Sequence, residues 1–274
     1  MADERPIGLL DSGVGGLSVL REVRALLPNE SLVYLADQAH LPYGEKARAQ
    51  VQRYVEGIAR FLLEDHACKM IVIPCHTACA AALHHLRGLL PHIPVVGMEP
   101  AVKPAAERTK SGVIGVISTQ ATYQSELFAS VVDRFARHVQ VEARACPDLV
   151  MLAEQGAPDT PETYHILRKN LAPLMDTGMD HLVLGCTHFP FLSKQLQVIL
   201  GDGVTLVDPA PAVARQVQRV LTEKDALTNA AERGTVAYFT TGDSHRFKQI
   251  IEALLGESVQ THLAHWQGER LSQT

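Results

Sequence analysis

The chain has 274 residues, 46% of them apolar and 20% charged, and its formal net charge of −5 at pH 7 offers no basic surface for a nucleic-acid partner. No apolar run approaches the roughly 20 residues that a membrane-spanning helix needs, and the acidic start of the chain is not a signal peptide. Five cysteines without a regular spacing favour reduced thiols over a disulfide framework, so we expect a cytoplasmic protein.

Short apolar runs alternate with segments of helical periodicity along most of the chain. This alternation predicts βαβ units and mainly parallel sheets. The predicted strands cover residues 7–10, 32–36, 70–73, 95–97, 113–117, 139–143, 181–184, 204–207 and 236–240. The predicted helices cover residues 17–27, 47–64, 78–89, 122–135, 162–175 and 244–255, with a further helix after residue 211.

Two strand-and-loop segments recur at similar distances. Residues 7–12 (IGLLDS) resemble 114–119 (IGVIST), 107 residues later, and the frame of Cys75 resembles that of Cys186, 111 residues later. Two matches in the same order favour a duplicated unit. We therefore predict an α/β fold of two pseudo-symmetric domains, with an active site in the cleft between them. The first predicted domain comprises residues 1–97 plus 211–274, and the second comprises residues 98–210.

The first predicted strand ends in the sequence DSGVGG at residues 11–16. Its glycines permit a tight strand-to-helix turn, or the approach of backbone N–H groups to an anion. The spacing departs from G-x-G-x-x-G, which disfavours a dinucleotide site. Asp11, a carboxylate at the mouth of a parallel sheet beside the Ser12 hydroxyl, is a candidate functional group.

The loop after the second strand contains a turn signal, Pro42-Tyr43-Gly44. The Tyr43 hydroxyl and the Gly44 N–H group are candidates for holding a ligand carboxylate. A plain connecting loop is the alternative.

Cys75 and Cys186 each follow a short apolar strand, where open α/β sheets build ligand sites. Two thiols presented in the same way suggest one sulfur on each side of a ligand, as needed to remove a proton from one face of a carbon and return it to the other. A helix N-terminus favours thiolate, so we expect thiol pKa values below the ordinary value of about 8.5. Metal binding with Cys79 and His188 is the rival interpretation, although the spacing lacks a C-x₂-C knuckle.

Two further residues gain meaning only from their neighbours. His188 lies two positions past Cys186, where a proton partner for that thiol would sit. Glu154, considered by itself, is predicted to be a solvated side chain. Cys68, Cys79 and Cys146 lack the strand-end context and are predicted to be packing residues.

Taken together, the ordered motifs resemble the glutamate racemase family from about residue 7 to residue 256. The motifs are DSGVGGL at 11–17, PYG at 42–44, C-x-T-A at 75–78, G-x-E-P at 97–100, ACP at 145–147 with Glu154, LGCTH at 184–188 and YFTTGD at 238–243.

The resemblance implies an acid/base pair, Cys75 and Cys186, acting on opposite faces of the substrate Cα. It implies that Asp11 assists the first thiol, and that Glu154 and His188 assist the second. Substrate binding falls to Asp11, Ser12, Tyr43, Gly44, Thr77, Thr187 and His188. It also implies no pyridoxal phosphate, no metal and no other cofactor, production of D-glutamate for peptidoglycan, and a possible homodimer.

One residue departs from the family pattern, because His76 follows the first cysteine where the family usually has Asn. His76 is larger than Asn and can change its charge near neutral pH. It is predicted to take over the substrate contact, to form an ion pair with a carboxylate or to restrict the pocket, with effects on rate, substrate affinity and pH optimum. The alternatives to glutamate racemisation are a racemase of aspartate or another acidic amino acid, and a non-catalytic amino-acid-binding regulator. Decarboxylases of the superfamily with a single cysteine are disfavoured, because both cysteines are present.

Overall fold

The computed structural model describes residues 2–273, whose strands and helices alternate along the chain. The strands are β1 (Ile7–Asp11), β2 (Leu32–Ala36), β3 (Met70–Val72), β4 (Val95–Val96), β5 (Val113–Ser118), β6 (Gln140–Ala145), β7 (His181–Gly185), β8 (Thr205–Val207), β9 (Val236–Thr240), β10 (Thr261–Gln267) and β11 (Arg270–Gln273). The α-helices are α1 (Leu17–Leu26), α2 (Arg48–Glu64), α3 (His76–Leu89), α4 (Val102–Arg108), α5 (Gln120–Tyr123), α6 (Glu126–Phe135), α7 (Asp148–Glu154), α8 (Pro161–Met175), α9 (Ser193–Leu200), α10 (Ala210–Glu223) and α11 (Ser244–Leu255).

These strands form two sheets. The larger has the order β11-β10-β9-β2-β1-β3-β4 and the smaller has the order β6-β5-β7-β8. All neighbouring strands are parallel except β10 and β11. The order β2-β1-β3-β4 in the larger sheet is the same as β6-β5-β7-β8 in the smaller, which agrees with the sequence repeat. The predicted α/β fold with mainly parallel sheets is confirmed.

Each sheet has its own hydrophobic core. Strands β1, β2 and β7 are buried along their whole length, as their uninterrupted apolar runs predict for parallel strands covered on both faces. Val217 of α10 packs in the core of the larger sheet, so the chain returns to that sheet after β8. The smaller sheet is covered on one side by a cluster that includes Phe189 and on the other by a cluster that includes Phe128.

The sequence prediction differed from the structure in several elements. The helix predicted at 122–135 is two helices, because the Ser125 hydroxyl accepts the Phe128 N–H and begins α6 there. The short helices α4, α7 and α9 were missed, since seven or eight residues show too little periodicity. The hairpin β10–β11 was also missed, because its polar residues mask the strand pattern. Among the described residues, no helix is long and apolar enough to cross a membrane.

Candidate active site

A small cavity lies where residues that follow strands of both sheets meet. Its volume is about 20 Å³, room for about one water molecule. Asp11 and Glu154 are hydrogen-bonded to the lining residues Thr187 and His188, while Thr119 and Val150 line the cavity and were not predicted. The predicted residues that line it are Ser12, Tyr43, Gly44, Cys75, His76, Thr77, Cys186, Thr187 and His188.

Asp11 ends β1 and is fully buried. Its Oδ1 accepts the Gly13 N–H at 2.8 Å, and its Oδ2 accepts the Thr187 hydroxyl at 3.2 Å. Burial raises the pKa of Asp11 to about 6, although the nearby His188 and the Gly13 hydrogen bond lower it. Asp11 is therefore a stronger base than an ordinary carboxylate, and it links the two sheets through Thr187.

Replacing Asp11 by Asn should stabilise the protein at neutral pH. The folded state holds the Asp11 proton up to a pKa of about 6, against an ordinary 3.8, so the contribution of Asp11 to stability is lost as pH rises through that range. Two pKa units correspond to about 3 kcal/mol. Urea unfolding at several pH values should show an advantage for Asp11→Asn that grows up to about pH 6 and then levels. A variant that is equally less stable at every pH would contradict this.

The Cys75 thiol caps helix α3. Its Sγ accepts the Ala78 N–H at 3.4 Å, which is why α3 begins at His76, two residues before the predicted start. The expectation of a lowered thiol pKa is wrong for Cys75. Burial raises the pKa of Cys75 well above its ordinary value and the negative charge of Asp11 raises it further, while the Ala78 hydrogen bond opposes only part of this rise. Cys75 therefore rests as a neutral thiol.

Cys186 belongs to a different arrangement. Its Sγ lies 3.5 Å from His188 Nδ1, and His188 Nε2 lies 2.7 Å from Glu154 Oε1. Burial alone lowers the pKa of His188, but its hydrogen bonds to Cys186 and Glu154 outweigh burial and hold this pKa well above its ordinary value. Burial alone would raise the pKa of Glu154, but the hydrogen bond and the charge of His188 outweigh burial and bring the pKa of Glu154 below its ordinary value. The pair is thus imidazolium and carboxylate at neutral pH, with a proton directed at the Cys186 sulfur.

The glycines of the first turn allow the residues around Cys186 to approach. A Cβ atom at Gly13 would overlap Glu154 Oε1, and one at Gly15 would lie 2.5 Å from both His188 Nδ1 and Thr187 Oγ1. The Val14 N–H donates to Glu154 Oε1 at 2.7 Å. The turn therefore binds a carboxylate of the protein itself.

Replacing Gly15 by Ala should disrupt the Cys186 side of the cavity. The added methyl must displace His188 or Thr187, so we expect turnover to fall about 100-fold, the scale of one proton-transfer group, and stability to fall by about 1–3 kcal/mol. Gly88→Ala is the matched control, because a Cβ at Gly88 meets nothing within 4 Å. Steady-state kinetics and urea unfolding measure both effects, and wild-type turnover in Gly15→Ala would contradict the prediction.

The Tyr43 hydroxyl is occupied by a protein partner. Tyr43 is buried and lines the cavity, and its hydroxyl donates to Asp37 Oδ2 at 2.6 Å. Gly44 lies against Thr119, since a Cβ at Gly44 would stand 3.2 Å from Thr119 Cβ. Of the two groups expected to face a ligand, the tyrosine hydroxyl therefore already donates its proton to Asp37.

Hydroxyl groups surround the rest of the cavity. Thr77 Oγ1 lies 2.9 Å from Thr119 Oγ1, which donates to Thr122 Oγ1 at 2.9 Å. The Ser12 hydroxyl lies 3.5 Å from Asp11 Oδ1, at the limit of a hydrogen bond. The cavity wall thus offers neutral donors and acceptors from both sheets.

His76 is buried beside Cys75, with 3% of its surface exposed. Neither ring nitrogen has a hydrogen-bond partner among the described residues. Burial lowers the pKa of His76 to about 3, although the nearby backbone of Glu99 raises it. His76 is therefore a neutral imidazole with two unused polar atoms at the cavity wall.

Two residues that join the halves of the site were missed. Gln38 Nε2 donates to Glu154 Oε2 at 3.0 Å, and the Thr240 hydroxyl donates to Gln38 Oε1 at 2.8 Å. The Ser18 hydroxyl lies 2.8 Å from the Gly15 carbonyl oxygen and 3.1 Å from that of Thr187. The position of Gln38 just past β2 was a usable signal, whereas nothing in the sequence distinguished Ser18.

The metal interpretation depended on Cys79 joining Cys75. Instead the Cys79 thiol donates to the Ile73 carbonyl at 3.1 Å and its sulfur accepts the Met98 N–H at 3.2 Å. Burial raises the pKa of Cys79 to about 12. Within residues 2–273, no three His, Cys, Asp or Glu side chains are grouped to hold a metal ion.

The chain is similar in sequence and in fold to known racemases. The family model described as Asp/Glu/Hydantoin racemase matches residues 11–217. The glutamate racemase of Ectopseudomonas mendocina (strain ymp) is 47% identical over 260 residues, which cover 95% of this chain and 98% of that protein.

Solved structures agree with this result. The crystal structure of a glutamate racemase isoform from Bacillus anthracis matches with a TM-score of 0.88 and 34% identity, over 98% of this chain and 99% of that one. The glutamate racemase of Francisella tularensis, solved in complex with D-glutamate, matches with a TM-score of 0.84 and 29% identity, over 97% and 98% of the two chains.

Proposed function

This chain belongs to the Asp/Glu/Hydantoin racemase family, and we propose on that basis that it interconverts L-glutamate and D-glutamate. The observation that supports this most directly is the cavity shared by Cys75 and Cys186, whose thiols follow the corresponding strands β3 and β7 of the two sheets. One thiol removes the Cα proton and the other supplies a proton to the opposite face, without a cofactor.

Each thiol has its own proton partner. Asp11, whose pKa is raised to about 6, accepts the proton that Cys75 must lose to become a base. The imidazolium of His188, held by Glu154, supplies a proton to the Cys186 sulfur 3.5 Å away, and the neutral imidazole that remains takes the proton back in the reverse direction. Because the partners differ in charge and type, the two directions of the reaction proceed through unequal steps.

The remaining cavity groups hold the amino acid. Carbanion formation at Cα needs fixed donors in a dry site. Thr77 and Gly44 supply such donors, Ser12 and Thr187 offer hydroxyl oxygens whose protons face Asp11, and His188 carries a positive charge at the wall. Tyr43 lines the wall with its hydroxyl proton donated to Asp37, so this hydroxyl can only accept a hydrogen bond from the substrate.

Substrate entry requires the site to open. A cavity of about 20 Å³ is far smaller than a glutamate, which has ten heavy atoms against the one of a water molecule. We place the movement between the proposed domains, residues 1–97 plus 211–274 and residues 98–210, because the cavity lies at their junction.

Deuterium exchange tests the reaction. Incubation of the protein with either enantiomer in D₂O under reducing conditions should abolish optical rotation and introduce deuterium at Cα. Absence of both changes with both enantiomers would refute the enzyme and favour a non-catalytic amino-acid-binding regulator. The same assay with aspartate distinguishes a glutamate racemase from the alternative, a racemase of aspartate or another acidic amino acid.

The cellular role follows from the product. D-glutamate is a component of peptidoglycan, so the protein would act in cell-wall biogenesis, in the cytoplasm where the precursor is made. A homodimer stays a prediction from the family resemblance, and sedimentation velocity tests it.

Replacing His76 by Leu should stabilise the protein and weaken substrate binding. Two unpaired buried nitrogens disfavour the ligand-free fold, at about 1–3 kcal/mol for such groups. The same nitrogens are free to bind a substrate carboxylate, so we expect KM to rise about tenfold and His76→Asn to restore part of the affinity. Urea unfolding and kinetics measure the two effects. An unchanged KM in His76→Leu would show that His76 does not bind the substrate.

A further inference from the structure

Trp266 is the single tryptophan of the chain and lies on the hairpin β10–β11, outside the motifs that carry the family resemblance. Its indole Nε1 donates to Asp37 Oδ1 at 2.8 Å. The other oxygen of Asp37 accepts the hydroxyl of Tyr43, which lines the cavity. On the premise of the proposed function, we infer that Trp266 is a positioning residue that holds the Tyr43–Gly44 turn through Asp37.

Asp37 collects its donors from three parts of the chain. It is fully buried, and a buried carboxylate needs several hydrogen bonds. Besides Tyr43 at 2.6 Å and Trp266 at 2.8 Å, the Thr241 hydroxyl donates at 2.9 Å and His40 Nδ1 lies at 2.9 Å. Loss of one donor lets the carboxylate rotate, and the Tyr43 hydroxyl must then follow it or lose its partner.

Ring contacts bind the same groups together. The rings of His40 and Tyr54 stack at 3.8 Å with an interplanar angle of 11°. Trp266 lies 5.3 Å from His40 and 6.0 Å from Tyr54, and Tyr54 lies 5.9 Å from Tyr43, all between ring centroids. Gly57 of α2 makes room for the indole, because a Cβ there would stand 2.6 Å from Trp266 Cζ3. The indole therefore supports the turn by packing as well as by its N–H.

The position of Trp266 in the hairpin indicates that it supports the Tyr43–Gly44 turn and does not contribute to strand pairing in the larger sheet. Strand β10 pairs with β9 only at residues 261–263, and from Ala264 onward it pairs with β11 alone. Trp266 lies in the part that has left β9 and packs over α2. Its contacts therefore support the turn of residues 37–46 rather than the pairing of β9 with β10.

Kinetics of paired variants test the inference. Trp266→Phe removes the N–H and keeps a ring, and we expect KM for both enantiomers to rise about tenfold, the scale of a hydrogen bond to a charged group, with kcat changed less than about threefold. Trp266→Ala should raise KM further. His265→Ala, an exposed neighbour on the same strand, should leave both constants unchanged. Wild-type KM and kcat in Trp266→Phe would overturn the inference.

Fluorescence gives a readout that does not depend on turnover. Emission comes from Trp266 alone among tryptophans, so glutamate should change it in the wild type with half-saturation near KM, and Asp37→Ala should remove this response. In ligand-free protein, Tyr43→Phe should shift the emission, because it alters the hydrogen bonds of Asp37. If the emission of Tyr43→Phe is not shifted, the inferred connection of Trp266 to Tyr43 through Asp37 is overturned, even if the protein is inactive. If the protein does not racemise glutamate but the emission shifts, the proposed function is refuted, and the connection of Trp266 to Tyr43 through Asp37 is still supported.

Discussion

Replacing Cys75 or Cys186 by alanine should lower racemase turnover in both directions by about 10³-fold or more, at the upper part of the range for general acid–base groups. Each catalytic cycle needs one thiol to lose a proton and the other to give one, so neither cysteine substitutes for its partner. Optical rotation with each enantiomer measures the loss. Deuterium exchange at Cα in each variant shows whether the remaining thiol still removes a proton from one face.

The serine variants and a third cysteine provide the comparison. Cys75→Ser and Cys186→Ser should impair the two directions unequally, because Asp11 assists one position and His188 the other. Cys68→Ala is the control: Cys68 is also buried, with its pKa raised to about 12 by burial, and does not line the cavity. Wild-type racemisation in either cavity variant would refute the two-thiol mechanism.

Replacing Glu154 by Gln should lower both stability and turnover. Glu154 and His188 are a buried ion pair, with side chains 4% and 3% exposed and atoms 2.7 Å apart. Removal of one charge from such a pair destabilises a protein by about 3–5 kcal/mol. We also expect turnover to fall about 100-fold, because His188 would no longer be held charged against the Cys186 sulfur.

The pH dependence of this loss follows from the two pKa shifts. The contribution of His188, whose pKa is raised, is present at low pH and is lost as pH rises through its folded value. The contribution of Glu154, whose pKa is lowered, is present above its ordinary value of 4.5 and is lost as pH falls through its folded value. Urea unfolding should therefore show the largest gap between variant and wild type around neutral pH.

A second buried ion pair, away from the cavity, is the control that distinguishes a loss of stability from a loss of turnover. Glu30 and Lys69 lie 2.7 Å apart with side chains 2% and 1% exposed, and neither lines the cavity. Glu30→Gln should destabilise the protein on a similar scale and leave kcat and KM unchanged at a temperature where it stays folded. Equal effects of Glu30→Gln and Glu154→Gln on turnover would remove the specific role of Glu154.

Local patterns were sufficient for much of the fold. Parallel strands such as β1 and β7 are buried on both faces, so their apolar runs are visible in the sequence itself. Since ligand sites form at the carboxyl ends of such strands, Asp11, Cys75 and Cys186 could be selected without a structure. The spacing of the repeated segments predicted a duplicated α/β unit, and the common strand order of the two sheets agrees with it.

The properties of these groups depended on contacts that no local pattern contains. Glu154 looked solvated, yet it is buried against Val14, 140 residues earlier in the chain. The helix terminus at Cys75 predicted a low pKa, but burial and Asp11 reverse the shift. The hairpin that brings Trp266 to Asp37 was not predicted at all.

The sequence by itself thus determined the strand ends, the pair of thiols and the family, because strand burial and motif order are properties of short segments. Only the tertiary structure decided which groups are charged, which are unpaired and which hold the Tyr43–Gly44 turn. The physical reason is that desolvation and hydrogen bonding depend on the neighbours that folding brings together from the two sheets and the terminal hairpin.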